Sequence, residues 1–523
     1  MSDIIEKKIT QTSVDEVNSS SSLEKGLAPQ ISVKDLSATE GNDPALSKKI
    51  FLINDALDEI GFTWYHAKLF GIAGFGYSVD SQMEMIQSAV KTYVNYQFGV
   101  QYPIHTEIFY AALIVGSIVF GFGSDIIGRK LCFNSSLLLS AVFGLFTGGT
   151  SSYAMYCIFL FLSTTCAGGN IATDVSVFLE YLPSKYHYLN TSMAAWWGVG
   201  QTIANLISWA FSSKFCSDPD NCTSKLNRGW RYCWYVNSAI VLVAGLIRLF
   251  VLKLDETPKF LISVGKDEEA YEAIMKISRK YNRPCSLTLE QLKECGDIKE
   301  EYYNYSKHGA SISALWKVTK ANIKILFSTK VVTRSTTLIL LSWLFIGVAY
   351  STFYNFLYIY ISEHGGSTGS SIYITYRNSS IANFVGIFGP FLAGLLVMVP
   401  RLGRRGTMAV SAVASMAVLF GYTTVRTPAG DAGFSSATYF FINAYYACLY
   451  AYTPEVFPTR ARTTGVGLAL VACRVSGAFA PVIYWFGEES GSSVPIWVCG
   501  ALIGCLAILA VLMPFEPSKQ RSV

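Results

Sequence analysis

The chain has 523 residues, of which 51% are apolar and 15% are charged, and its formal net charge is +5. A soluble domain usually carries about 25% charged residues, and a soluble chain of this length divides into domains joined by polar linkers. The composition therefore excludes an ordinary soluble enzyme. The small net charge gives no indication of nucleic-acid binding.

The amino-terminal region is polar and rich in serine, and it contains no apolar run. It predicts a disordered tail over residues 1–50 without a cleavable signal peptide. A short amphipathic turn of helix, Asn54 to Phe62, follows the tail and precedes the apolar part of the chain.

Apolar segments then recur, most of them long enough to cross a bilayer. They predict an all-α membrane protein with twelve transmembrane helices in two pseudo-symmetric six-helix halves, 51–254 and 331–514. Between the halves, residues 255–330 form a central loop with short helices, predicted over Asp267–Lys280 and Leu287–Ile298, and residues 515–523 form a tail. The predicted spans lie near 66–88, 107–124, 131–149, 153–179, 189–212, 232–252, 335–361, 371–398, 407–425, 435–453, 463–486 and 494–513.

The distribution of Lys and Arg among the short loops predicts how the chain is oriented in the membrane. Most Lys and Arg residues of these loops fall on one side, which the positive-inside rule places in the cytoplasm together with both termini. The exception is the loop 213–231, which also holds Cys216, Cys222 and the sequon-like Asn221. A disulfide between the two cysteines and glycosylation of Asn221 both stay open, as does the choice between plasma membrane and endomembrane.

A repeated loop signature indicates an internal duplication. The first copy reads Gly121-Phe-Gly-Ser-Asp125-Ile-Ile-Gly128-Arg129-Lys130, and the second, shorter copy contains Gly403-Arg404-Arg405. Gly128 and Gly403 are 275 positions apart, and so are Glu180 and Glu455, which are followed seven residues later by His187 and Arg462. Two motifs with one offset favour a parallel repeat of a six-helix unit. Glycines permit a tight turn and close helix approach, and the charged residues predict a conformational latch.

The first copy resembles the hallmark loop Gly-x-x-x-Asp-x-x-Gly-Arg-Lys of the major facilitator superfamily. Stretches at Leu254–Leu261, Pro454–Arg462 and Ala56–Phe62 resemble its sugar-porter, organic-ion and synaptic-vesicle-glycoprotein-related branch, and the run Gly168–Pro183 resembles its fungal members. This resemblance implies gating roles for the latch residues. His187 stands where Arg is usual and Pro400 replaces an acidic residue, which implies a weaker or pH-sensitive first latch. The latch set is Gly121, Asp125, Gly128, Arg129, Lys130, Glu180, Gly403, Arg404, Arg405, Glu455 and Arg462.

Acidic residues inside predicted spans are the candidates for proton coupling. A carboxylate at membrane depth is costly unless it faces water or a partner. Asp80 in the first span is the leading candidate, with Glu84 one turn later. Asp174 in the fourth span shares a helix face with Asn170, which is a candidate for binding solute.

Basic, amide and aromatic residues of the other spans complete the predicted pathway. Arg474 is interpreted either as an anchor for a solute carboxylate or as the partner of Asp80 or Asp174, since a buried Arg needs an anionic partner. Aromatic rings and amides suit a sugar, an aromatic acid or an organic cation. The remaining candidates are Trp197, Gln201, Tyr354, Asn355 and Arg377.

The leading hypothesis is a monomeric secondary active transporter that moves a small polar or ionic organic solute by alternating access, coupled to protons. Symport, antiport and uncoupled facilitation remain alternatives, as does a sensor that uses the same fold without transport. The sequence contains no Walker motif, His cluster or metal-ligand spacing, so neither an enzyme nor a cofactor is expected.

Overall fold

The computed structural model describes residues 44–100, 104–215, 227–252, 254–297, 312–364, 372–425, 427–458, 461–479 and 494–516. These residues belong to one compact unit, Gly41–Val523. All regular elements within these ranges are helices.

The first half of the chain begins with a helix that precedes the membrane-spanning part. The predicted turn at Asn54–Phe62 is the end of this longer helix, and the predicted first span extends well beyond residue 88. The predicted fifth span is interrupted near Met193, so a short helix precedes the long one. The helices are α1 (Pro44–Ile60), α2 (Trp64–Phe98), α3 (Ile104–Ile127), α4 (Arg129–Gly149), α5 (Tyr153–Tyr181), α6 (Tyr188–Ser192), α7 (Ala195–Phe215) and α8 (Gly229–Ile247, continued by a π turn at Arg248–Leu252).

The central region and the second half follow the same pattern of short and then long helices. The predicted helix over Leu287–Ile298 is shorter in the structure, and the predicted eighth span is broken at Ile387 into two helices. The helices are α9 (Pro258–Ser263), α10 (Asp267–Tyr281), α11 (Leu289–Glu294), α12 (Ile312–Leu326), α13 (Lys330–His364), α14 (Ile372–Gly386), α15 (Phe388–Val397), α16 (Gly403–Tyr422), α17 (Pro428–Val456), α18 (Arg462–Gly477) and α19 (Val494–Leu512).

Within the described ranges, seven helices are long and apolar enough to cross a membrane. Helix α2 is not among them, because it carries acidic and amide side chains such as Asp80, Gln82 and Glu84, all largely buried. Helix α2 packs against α5 and α7. Helix α2 is therefore not recognised as a membrane span by hydropathy, and it places buried acidic and amide side chains in the interior of the protein.

The two halves of the chain contact each other most extensively along two helix pairs, α3 with α18 and α7 with α14. Helices α3 and α18 approach closely because glycines face each other. A Cβ atom added at Gly121 would lie only 2.9 Å from the Cα of Gly467. Such backbone contact leaves no room for a side chain, so the glycine of the loop signature serves the packing of one half on the other.

A small helical layer covers one end of the molecule. Helix α1 packs its apolar face, which includes Ile53 and Leu57, against α9 and α10, where Ile262 and Ile274 are fully buried. Lys49 in α1 pairs with Asp267 at the start of α10 at 2.5 Å. The loops that begin α4 and α16 carry Arg129, Arg404 and Arg405, and we call the end that contains these residues the basic end.

Candidate functional site

An ion pair joins the two halves in the interior. Arg474 in α18 donates to the carboxylate of Asp80 in α2, and the two side chains are 8% and 0% exposed. Arg474 Nη1 also lies 3.8 Å from Glu84 Oε2. The structure therefore gives Arg474 the partner that the sequence left undecided, and it places two carboxylates around one guanidinium.

An amide and two aromatic rings form a second bridge between the halves. Trp197 Nε1 and Gln201 Nε2 in α7 donate to the hydroxyl of Tyr350 in α13, at 3.2 and 2.7 Å. The Trp197 ring lies 5.9 Å from the Arg474 guanidinium. Three of the predicted pathway residues, Trp197, Gln201 and Arg474, are thus brought together with Asp80 and Glu84.

A cavity extends from this cluster toward the end opposite the basic end. It encloses about 600 Å³, counting the space at its mouth. One wall is the face of α2 that carries Glu84, Gln87 and Lys91, which lie at helical spacing. The cavity is lined by Glu84, Met85, Gln87, Ser88, Lys91, Thr106, Phe109, Tyr110, Gln201, Tyr350 and Ser351.

The basic end is closed by charged contacts between the halves. Glu180 of α5 pairs with Arg129 at the start of α4 and lies 3.7 Å from Arg462 of α18. Arg404 pairs with Glu455 of its own half. It also donates to the hydroxyl of Thr191 and, at 3.0 Å, to the backbone carbonyl of His187, both in the other half. Five members of the predicted latch set therefore take part in these contacts: Arg129, Glu180, Arg404, Glu455 and Arg462.

His187 and Lys259 lie in the same interface, outside the spanning helices. Burial lowers the pKa of His187 to about 3, and the nearby Lys259 and Arg404 add to this effect. The imidazole is therefore neutral at physiological pH. Burial also lowers the pKa of Lys259 well below its usual range, with Arg462 contributing. The ion pairs of this interface are formed by arginines and glutamates.

Two further glutamates complete the basic end, and sequence reasoning assigned them no role. Glu256 accepts from the backbone N–H groups of Arg129 and Lys130 at 3.0 and 3.2 Å, at the start of α4. Glu516 accepts from those of Arg404 and Arg405 at 2.8 and 3.2 Å, at the start of α16. Carboxylates at helix amino termini satisfy unpaired donors and the helix dipole. The signal was present, because each glutamate follows the last span of its half and precedes a proline, Pro258 or Pro517.

The glycines of the two loop signatures make these caps possible. Gly128 has a φ of 117° and Gly403 a φ of 55°. Both values lie in the region that favours glycine, and each residue turns the chain directly into the next helix. The repeated Gly-Arg pattern thus places a glycine with positive φ directly before each of the two capped helix starts.

Other predicted residues lie apart from the cavity lining. Asp174 pairs with Arg248 at 2.9 Å within the first half, and Arg248 also donates to the Phe133 carbonyl. Asn170 accepts from Ser136 Oγ at 2.6 Å. Arg377 is exposed and donates to Asn378. The contacts of Asp174 and Asn170 join neighbouring helices, and the contact of Arg377 lies at the surface. The roles predicted for these three residues stay predictions.

Some predicted residues lie outside the described part of the structure. Cys216 and Cys222 fall in 216–226, which is not described, so their pairing is untested. The backbones of Asp125, Tyr354 and Asn355 belong to helices α3 and α13, but their side chains are not described.

Comparison with known proteins gives consistent results. A family model for the Major Facilitator Superfamily matches residues 70–481. The chain is 38% identical over 488 residues to the MFS siderochrome iron transporter 1 of Ceriporiopsis subvermispora, covering 92% of this chain and 93% of that protein. It is 26% identical to the organic cation/carnitine transporter 7 of Arabidopsis thaliana, covering 90% of this chain and 95% of that one.

A solved structure shares the fold. The proton:xylose symporter XylE, from E. coli, superposes with a TM-score of 0.68 at 15% identity and covers 88% of this chain and 98% of its own. This likeness concerns the fold alone. The family model and the fungal relative show that the chain belongs to the major facilitator superfamily, as a multi-pass membrane transporter of small-molecule solutes and not an enzyme.

Proposed function

We propose that the protein is a proton-coupled secondary active transporter that works by alternating access. Its twelve spans are the seven apolar helices together with the more polar α2, α7, α16, α17 and α18. The basic end faces the cytoplasm with both termini, because the arginines of the α4 and α16 loops gather there. The chain acts as a monomer in a plasma or internal membrane.

The arrangement of closed and open regions supports alternating access. At the basic end, Glu180 contacts Arg462 and Arg404 contacts Thr191, so charged side chains bridge the halves there. On the opposite side, the cavity opens beyond Glu84. A binding site closed on one side and accessible from the other is one state of an alternating-access cycle.

The ion pair between Asp80 and Arg474 is the observation that carries the proposal of proton coupling. It joins the two halves in the interior, between the cavity and the closed basic end. A proton on Asp80 removes the charge of the carboxylate that Arg474 contacts most closely, so the attraction between α18 and α2 then depends on the more distant Glu84. Protonation thereby weakens the contact that holds the halves in this state.

Two alternatives lead to different results. In an uncoupled facilitator, Asp80 holds helices together but carries no proton across the membrane. In a sensor, the cavity binds solute and the gates do not cycle. Both alternatives retain the fold and the ion pair, so only transport measurements separate them from the proposal.

The test is the variant Asp80→Asn in reconstituted vesicles, with Glu269→Gln, an exposed carboxylate of α10, as the matched control. Asp80→Asn should lose solute accumulation driven by a pH gradient while it retains exchange of labelled for unlabelled solute. The control should keep both activities. Accumulation by Asp80→Asn that still follows the pH gradient would overturn the assignment.

A further inference from the structure

The central cluster has more negative than positive charge. Asp80 and Glu84 are 0% and 16% exposed, and among the described residues the guanidinium that pairs with both is that of Arg474. Arg474 donates to Asp80, whereas its nearest nitrogen lies 3.8 Å from Glu84, beyond hydrogen-bond distance. A buried charge requires compensation. A second cation close to Glu84 would therefore stabilise its carboxylate.

The same part of the cavity presents acceptor atoms that lack donors. Among the described residues, Glu84 Oε2 and Gln201 Oε1 are buried and have no hydrogen-bond partner. The orientation of the Gln201 amide follows from its contact, because its Nε2 donates to Tyr350. Gln201 is 1% exposed and lines the cavity. Buried acceptors without partners are costly, so a solute with N–H or O–H donors fits here.

Aromatic rings form the neighbouring wall. Phe109, Tyr110 and Tyr350 line the cavity together with Glu84. The faces of such rings attract organic cations, and their area favours a flat apolar body. Lys91, the cation of the lining, lies two turns further along α2, ~10 Å from Glu84 along the axis, and Glu107 acts on it electrostatically. The acidic region is therefore the inner end of the cavity.

We propose that the solute is an organic cation, a protonated primary or secondary amine on a flat apolar body, whose N–H groups donate to Glu84 and Gln201. This inference rests on the proposed function and names its solute class. A carboxylate in this place would face Glu84 while Arg474 is held by Asp80. A neutral polyol would satisfy the acceptors and leave the surplus negative charge without compensation.

The test compares three probes of similar size that differ in charge: phenethylammonium, 2-phenylethanol and phenylacetate. Their binding to the full-length protein in lipid nanodiscs is measured by titration calorimetry at pH 7.5. The wild-type protein should bind phenethylammonium at least tenfold more tightly than either other probe. Glu84→Gln should weaken this binding at least tenfold, while the exposed-site control Glu269→Gln should leave it unchanged.

Several results would overturn the inference. Tighter binding of phenylacetate or phenylethanol would do so, as would failure of all three probes to bind to folded wild-type protein. The comparison of probes on the wild type does not depend on how the variants fold. If phenylacetate binds and its uptake into vesicles is lost in Asp80→Asn, the solute class is wrong but the transporter stands. If phenethylammonium binds and vesicles that contain the protein do not transport it, the solute class stands and the proposed transport function is wrong.

Discussion

Asp80 and Arg474 are 394 positions apart in the chain, and their side chains form a buried ion pair between α2 and α18. Glu84, one turn along α2, lies close enough to replace Asp80 as the partner of Arg474. The three residues therefore form a cluster of two carboxylates and one guanidinium, so loss of a carboxylate and loss of the guanidinium have different consequences. Removing a carboxylate leaves another, whereas removing the guanidinium leaves both carboxylates buried without a cation.

The first prediction follows from this asymmetry. Arg474→Met should destabilise the protein strongly, by about 3–5 kcal/mol, because it leaves buried charge unpaired. Asp80→Asn should cost clearly less, since Glu84 can approach Arg474. Thermal unfolding of the purified variants measures both effects. Equal loss of stability in the two variants would show that Glu84 does not substitute for Asp80.

The second prediction concerns the contact between Gly121 and Gly467. Gly121→Ala should abolish transport while the protein still folds, because the added Cβ would lie 2.9 Å from backbone and would hold α3 away from α18. Gly123→Ala in the same helix is the matched control, since its Cβ would meet only Ile127 Cδ1 at 3.9 Å. Solute uptake into vesicles measures the difference. Normal uptake by Gly121→Ala would mean that the halves need not close this tightly.

The third prediction concerns Glu180 at the basic end. Glu180→Gln removes the carboxylate that Arg129 and Arg462 share, so both buried guanidiniums lose an ion-pair contact. The expected loss of stability is about 3–5 kcal/mol. The exposed pair of Glu268 and Lys293 provides the comparison, and Glu268→Gln should have little effect. Denaturation curves of the two variants measure both effects. A small effect of Glu180→Gln would contradict the proposal that Glu180 stabilises the contact between the halves at the basic end.

The fourth prediction concerns the equivalent caps Glu256 and Glu516. Glu256→Gln and Glu516→Gln should each cost about 0.5–1 kcal/mol, because a neutral amide interacts less with the amino terminus of a helix. The two caps serve different helices, α4 and α16, so their effects should add in the double variant. Unfolding measurements on the single and double variants test this. A large effect of one cap and none of the other would argue against equivalent roles.

The fifth prediction concerns acid. The pKa of His187 is about 3 in the fold, against an ordinary value of 6.5. The unfolded chain therefore binds a proton at His187 below pH 6.5 that the folded protein does not, and the fold loses stability as the pH falls from 6.5 toward 3. With allowance for partial exposure, the loss is about 1 kcal/mol between pH 6.5 and 5.

The variant His187→Gln isolates this effect. It should lose less stability than the wild type between pH 7 and 5, when both are unfolded thermally in the same detergent. An identical acid sensitivity of the two proteins would assign the effect to other groups. The resemblance to the superfamily implied a weaker or pH-sensitive latch at this position, and the lowered pKa of His187 predicts that any such sensitivity lies below neutral pH.

Much of the helix order could be predicted because a spanning helix needs a long apolar run, which is a local property. Breaks at Met193 and Ile387 were missed because neither residue interrupts an apolar pattern. The extent of α1 was underestimated since its apolar positions are spaced for packing on α9 and α10, which lie about 200 residues later in the chain.

The candidate site was predicted in part for a similar reason. Asp80, Glu84 and Arg474 stand out because a charge inside a span requires an explanation. Their pairing is a tertiary contact, and spacing along the chain could not choose between Asp80 and Asp174 as the partner of Arg474. The structure pairs Asp174 with Arg248 instead. Arg248 lies near the end of a predicted span, where a basic residue is common and does not indicate a buried ion pair.

Proton movement induced by solute tests the central claim most directly. Purified protein is reconstituted into vesicles that contain a pH-sensitive dye, and sugars, carboxylates and amines are added in turn. We expect one class to change the internal pH, and Asp80→Asn to abolish that change while Glu269→Gln preserves it. Solute uptake without any change of internal pH, or a change that persists in Asp80→Asn, would contradict proton coupling through Asp80.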